Sequence, residues 1–248
     1  SHEFRTPLTL ILGPLEDLVK SNTLSSKDHH RISVIHQSAV RLLNLINQIL
    51  DFRKTETQNK RLCVTKGNLT SAVYETGLKY KELNNKPEIQ ILIEVEEENM
   101  VLFFDKEVIT MILDNLISNA LKYTEKGYIR IRAEWVTENG IRYAQLSVED
   151  TGYGIGQDAL AHIFERYYQE SGEHQASGTG IGLALVKNLV KLHEGDIQVK
   201  SLPEIGTTFY LRLPAGNTYP QALHGEDIHT DKQDGKEEEP IEKQEVAD

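Results

Sequence analysis

The chain carries one cysteine, Cys63, among 248 residues. A single thiol excludes an intrachain disulfide and fits a reducing compartment. Cys63 itself reads as a semi-buried strand residue. No apolar run approaches the roughly 20 residues that span a bilayer, and no signal-peptide pattern is visible. The first residue is Ser, not Met, and lies inside a helical pattern, so a fragment of a longer protein is expected. Basic excess is missing too. The net charge is −11, of which residues 217–248 carry −7 from ten acidic and three basic side chains. The remaining body, near neutral, has no electrostatic footprint for nucleic acid. His29, His30, His36, His162, His174, His193, His224 and His229 form no spaced metal set and read as solvated or capping residues. The glycine loops contain neither G-x-G-x-x-G nor the Lys-Ser/Thr of a P-loop.

Hydrophobic residues make up 39% of the chain, enough for a soluble core in one or two domains. Phe4, Leu8, Ile11, Leu15 and Leu18 form one heptad-like seam, and Ile32, Ile35, Ala39, Leu42, Ile46 and Ile49 form a second. A polar turn over 21–27 joins them into a helical hairpin. One hairpin buries too little surface alone, so pairing with a second copy into a four-helix bundle is expected. His2 and Thr6 lie one turn apart, off the seam and facing outward, and Pro7 bends or loosens the helix beyond them. From about residue 61 to 215, strand patterns (89–95, 128–136, 142–148, 196–201, 207–213) mix with helical ones (69–83, 106–122, 181–193). Antiparallel hairpins with one helical layer make an α/β sandwich. Beyond residue 217 apolar residues almost vanish, which predicts a disordered acidic tail or linker. The expected domains are therefore 1–58, 59–216 and 217–248.

Four stretches carry chemistry. His2 followed by Glu3 sets a nucleophilic imidazole beside a base that can accept its proton. Asn115 and Asn119 share one helix face, where two amides can offer oxygen to a hard cation and N–H to phosphate, with Lys122 adding charge. The loop Asp150-Thr151-Gly152-Tyr153-Gly154-Ile155-Gly156 follows a strand, and Asp150 can accept a hydrogen bond from an exocyclic amino group such as adenine's. A second loop, Gly178-Thr179-Gly180-Ile181-Gly182-Leu183, opens a helix whose free N–H groups can cradle phosphate. Between the loops lie some twenty polar residues with Phe164, Tyr167 and Tyr168, a stretch that fits a mobile lid.

Taken in order, these stretches resemble the catalytic core of a two-component sensor histidine kinase. His2 to Leu8 is similar to that family's H box, residues 115–124 to its N box, 150–156 to G1, 163–169 to the F box and 178–183 to G2. The resemblance spans residues 1 to about 214. It implies an all-α hairpin, a four-helix bundle on dimerisation, followed by an α/β sandwich of the histidine kinase, gyrase and Hsp90 ATPase type. It also implies ATP and Mg²⁺ as cofactors, with His2 as phosphoacceptor, Glu3 as base and Thr6 positioning water for dephosphorylation of the partner. Asn119 would be the metal ligand, with Asn115 and Lys122 near the phosphates and Asp150 on the adenine amino group. Gly152 and Gly154 would shape that pocket, and Gly178, Gly180 and Gly182 would hold the lid end and phosphates. Tyr123, Ile155, Thr179, Ile181 and Leu183 join them at the nucleotide, and Arg166 reaches toward the γ-phosphate.

The implied partners are a second copy through the hairpin and a response-regulator receiver, in trans or in the same parent chain, with no nucleic acid. The acidic linker resembles that of hybrid kinases with a downstream receiver. A cytoplasmic fragment, from a parent anchored in the inner membrane, fits the family. His193-Glu194-Gly195 departs from the His-Gly-Gly of many relatives. Two rival readings stay open. One is an ATPase of the gyrase, Hsp90 and MutL kind, where Asp114 is the nearby acid. The other is a dimeric scaffold that binds nucleotide without transferring phosphate.

Overall fold

The computed structural model describes residues 2–20, 25–56, 62–95, 99–169, 179–215 and 223–224. Two helices come first, α1 (His2–Lys20) and α2 (Ser26–Glu56), packed as a hairpin. The helix runs on through Pro7, whose missing N–H falls within the first two turns. Ser25 starts α2: its hydroxyl accepts the Asp28 N–H at 3.2 Å and donates to the Asp28 carboxylate at 2.7 Å. At 31 residues α2 is longer than its seam, and its last turns leave the hairpin for the next domain. There Phe52 is buried, with Leu45 and Ile49 packed beside it.

The second domain has strands β1 (Cys63–Asn68), β2 (Ile89–Val95), β3 (Val101–Phe104), β4 (Gly127–Glu138), β5 (Ile141–Asp150), β6 (Asp196–Leu202), β7 (Gly206–Pro214) and β8 (Leu223–His224). Its helices are α3 (Leu69–Leu83), α4 (Lys106–Tyr123), the short α5 (Gln157–Leu160) and α6 (Gly182–Leu192). Five strands form one sheet in the order β2-β4-β5-β7-β6. The hairpin pattern holds for β4–β5 and β6–β7. Outside those hairpins, β2 pairs with β4 in parallel, because β3 and α4 intervene in the chain. A smaller sheet, β3-β1-β8, is not announced by any apolar periodicity. Within it, β8 corrects the expectation of a tail without structure at those two residues; the rest of 217–248 lies outside the described residues.

Helices α3, α4 and α6 cover one face of the large sheet. Alternation does the sorting. Ile129, Ile131, Ala144, Leu146, Val148, Phe209 and Leu211 face the helices and are buried, while Arg130, Arg132, Glu94 and Glu149 pair on the opposite face. Asp105 caps α4 by accepting the Val108 N–H at 3.1 Å, and it also accepts the Cys63 N–H at 2.8 Å. Its own N–H donates to His193 Nε2 at 3.2 Å. His193, read from sequence as solvated or capping, is a fully buried cap: its Nδ1 lies 3.3 Å from the Leu189 carbonyl at the end of α6.

Candidate functional site

The site lies where α4, the end of β5, the loop after β5 and the start of α6 meet. The apolar face of α4 (Ile109, Ile112, Leu113, Leu116, Ile117, Ala120) is locked into the core. That fixes Asn115, Asn119 and Lys122 on the open side. Asn115 Nδ2 donates to the Met111 carbonyl at 2.8 Å, which leaves its oxygen facing α6. A Cβ on Gly182 would sit 2.9 Å from that oxygen, so the bare glycine lets α6 approach the amide. Lys122 Nζ donates to the Tyr123 hydroxyl at 2.8 Å and lies 4.4 Å from the centre of its ring.

Asp150 ends β5 between Ile129 on β4 and Thr207 on β7, with 8% of its surface exposed. Burial pushes its carboxyl up to about 6, and the charge of Glu149 adds to this. The backbone N–H groups of Gly152 and Thr207 bond to the carboxylate and pull the other way. The Gly152 bond is 2.9 Å. A Cβ on Gly152 would lie 2.4 Å from the Tyr123 carbonyl. Beyond it, the loop is tied to the β6–β7 turn: Ile155 N–H donates to Ser201 Oγ at 2.8 Å, and Ser201 Oγ lies 2.9 Å from Thr207 Oγ1. Thr207 and Ser201 therefore shape the carboxylate's surroundings, and neither carries a sequence signal for that role.

The segment between the loops is pinched at its ends. Tyr167 N–H donates to the Gly180 carbonyl at 2.8 Å, and both residues have positive φ, 62° and 67°. Of the three aromatics read as a cluster, Phe164 packs edge-on to Phe209 and Tyr168 tilts against His162, while Tyr167 points outward. Gly178 and His174 lie outside the described residues. Thr179 does two jobs. Its hydroxyl accepts the Ile181 N–H at 3.2 Å, closing a turn before α6, and donates to Gln48 Oε1 of α2 at 2.9 Å. Arg166 lies over the ring of Phe52, also on α2, at 4.8 Å. Both ends of the loop segment thus touch the hairpin. Of the sequence-selected residues, Asn115, Asn119, Lys122, Asp150, Gly152, Gly180 and Gly182 come together here. The backbone of His2, Glu3 and Thr6 starts α1, and their side chains lie outside the described part.

Chemically, this is a cleft with a buried hydrogen-bond acceptor at one end and carboxamides, a lysine and a helix N-terminus at the other. An adenine at the first end and phosphates at the second fit that polarity.

Comparison with known proteins agrees. Residues 1–58 match the His Kinase A (phospho-acceptor) domain, and residues 104–217 match the histidine kinase-, DNA gyrase B-, and HSP90-like ATPase. The chain is 37% identical to the autoinducer 2 sensor kinase/phosphatase LuxQ of Vibrio harveyi, over 86% of this chain and 25% of LuxQ. It is 38% identical to the circadian input-output histidine kinase CikA of Synechococcus elongatus, over 86% of this chain and 29% of CikA. Histidine kinase P4 of Formosa agariphila is 34% identical over 89% of this chain and 16% of its own length. The chain thus spans less than a third of these relatives. The crystal structure of full-length ShkA in complex with AMPPNP superposes with a TM-score of 0.72 and 27% identity, covering 89% of this chain and 45% of ShkA. Two family models in order, covering most of the chain, and relatives that match across both of them leave one assignment: the chain belongs to the sensor histidine kinases of two-component systems.

Proposed function

We propose that this chain is the autokinase core of its parent, taking the γ-phosphoryl group of ATP onto His2 and passing it to an aspartate of a receiver domain. The observation that carries the reading is the cleft itself: a buried carboxylate, Asp150, opposite the Asn115–Asn119–Lys122 face of α4, behind a helical hairpin that begins with His-Glu. Asp150 accepts the adenine amino N–H. Gly152 and Gly154 let the loop pack directly on the backbone of Tyr123 and Leu202, and so shape the wall of the base's pocket. Lys122 turns from Tyr123 to the phosphates, and the first N–H groups of α6 face them.

A divalent cation fits here. The Asn119 side chain makes no hydrogen bond among the described residues, and these hold no group of three His, Cys, Asp or Glu. An ion such as Mg²⁺ would therefore take the Asn119 carboxamide oxygen together with phosphate oxygens, and would supply charge neutralisation.

In the transfer, neutral His2 attacks the γ-phosphorus as the bond to the β–γ bridging oxygen breaks and ADP leaves. The ring proton passes to Glu3. Thr6 serves the reverse traffic by positioning water on the phosphorylated partner. The receiver is a separate protein or a later part of the same parent. The hairpin dimerises through apolar side chains still exposed in one chain: Leu10, Ile11, Leu18, Val34, Ile35 and Leu42. The water-activating ATPase reading is less favoured, because its nearby acid, Asp114, is engaged by Lys79 of α3 at 2.8 Å.

The test is incubation with Mg²⁺ and γ-labelled ATP. Acid-labile, base-stable protein label that is lost in His2→Ala is the expected outcome. Release of free phosphate without protein label would overturn the reading.

A further inference from the structure

We propose that the outer edge of β1 is a strand-docking slot, and that Leu223–His224 of this chain's own tail is its occupant. Successive peptide groups of an extended strand point to opposite edges. The Cys63 N–H donates to Asp105 Oδ2, so that peptide faces the corner between β3 and α4. Thr65 to Asn68 pair with β3 on the same side. By alternation the Val64 peptide faces away from β3. Val64 is fully buried, and a buried peptide group needs a partner. β3 does not supply one, since its register begins at Thr65. β8 does: it runs parallel to β1, with Leu223 opposite Cys63 and His224 opposite Val64. Main-chain pairing of this kind tolerates most side chains and recurs wherever a sheet edge accepts an added strand.

The place of the slot matters more than its length. α2 ends at Glu56 and β1 begins at Cys63, so the docked strand sits where the hairpin enters the α/β domain. The chain leaves the large sheet at Pro214 and rejoins the fold in the small one. Residues 225–248 are strongly acidic, with ten Asp or Glu against three Lys. Leu223–His224, just ahead of that stretch in the chain, therefore lies beside the link between hairpin and catalytic domain. A pull on it, or a partner bound to it, acts first on that link. The inference rests on backbone pairing alone and is independent of the kinase reading.

The full 248-residue chain provides the test, because Cys63 is its sole cysteine and is exposed. In Leu223→Cys, mild oxidation is expected to give an intrachain disulfide at least about tenfold faster than in Val246→Cys, since docking raises the effective concentration. The deciding measurement is hydrogen exchange over residues 62–66. In the double variant Leu223→Pro, His224→Pro the strand loses its N–H donors to β1 and undocks, and the Val64 amide, left without a carbonyl acceptor from β8, is expected to exchange about tenfold faster. Unchanged exchange there overturns the proposal whatever the crosslink shows. Faster exchange confined to this segment supports it, even where crosslink geometry is poor.

Discussion

Asp150 is ionised at neutral pH against the pull of its surroundings. Burial raises its folded value from 3.8 to about 6. The sign is fixed by that direction. Its contribution to stability is full below about pH 4 and is lost as pH rises through 6, because the unfolded chain ionises more easily. At 1.36 kcal/mol per unit the loss is on the order of 2–3 kcal/mol, and it levels off above pH 7. In the proposed function the carboxylate that costs stability is also the acceptor for adenine, so nucleotide affinity should have the opposite trend and fall below pH 6. Asp150→Asn should weaken ATP binding at pH 8 by roughly 1.5–3 kcal/mol, as for a lost charged hydrogen bond. It should also flatten the pH dependence of both melting and affinity between pH 5 and 7. Calorimetric titrations at pH 5.5 and 8 check this as a wild-type to variant ratio, in which the titration of ATP cancels. An unchanged ratio excludes adenine readout by Asp150.

A second residue carries a smaller cost. α6 ends in a left-handed turn: Glu194 N–H bonds to the Lys191 carbonyl and Gly195 N–H to the Val190 carbonyl, with Glu194 at φ 55°. That position favours glycine. Glu194→Gly should stabilise the chain by about 0.5–1 kcal/mol, the left-handed penalty less the extra freedom of glycine when unfolded. Thermal melting should show a rise of about 1–4 °C. A lower midpoint would mean that the Glu194 side chain makes a contact worth more than the strain.

At the scale of elements, α2 and the phosphate loop share a latch. Thr179 donates to Gln48, and Arg166 covers Phe52, so two residues that the family resemblance assigns to the nucleotide are held by the hairpin. If the chain delivers a γ-phosphoryl group to the other end of the hairpin, as proposed above, this contact has to open. Gln48→Ala removes one hydrogen bond, about 1 kcal/mol, and shifts the docked-to-open ratio roughly fivefold toward open. Faster autophosphorylation at saturating ATP is the expected result, with the KM for ATP unchanged or lower. A slower rate would show that the contact belongs to the active arrangement. The sequence alone showed none of this, since Gln48 and Thr179 are 131 residues apart. Helices α3, α4 and α6 were legible because their apolar residues repeat every three or four positions. β1 was not, because Lys66, Gly67 and Asn68 break its alternation, and β3 is only four residues long. Pairing partners were hidden for the same reason in β2 and in Asp150 with Thr207: non-local contacts leave no periodic trace.

At the scale of the whole molecule, the hairpin is unfinished in a single copy. Ile11 and Leu18 on α1, and Ile35 and Leu42 on α2, belong to the seams read from the sequence, yet all four are exposed. Ile35 keeps 53% of its surface open. Exposed apolar side chains at heptad spacing on both helices of a hairpin have one economical solution, a four-helix bundle with a second copy. The α/β domain has its own buried core and does not depend on that pairing. The two parts should therefore respond separately to damage. Ile35→Glu buries a charge in the seam and should weaken dimerisation by a hundredfold or more, roughly 3 kcal/mol. ATP affinity should stay within about twofold, because the cleft lies on α4, β5 and α6. Sedimentation equilibrium and nucleotide titration on the same sample measure both. A chain that stays dimeric after the substitution would place the interface elsewhere, and a parallel loss of ATP binding would show that the cleft needs the dimer.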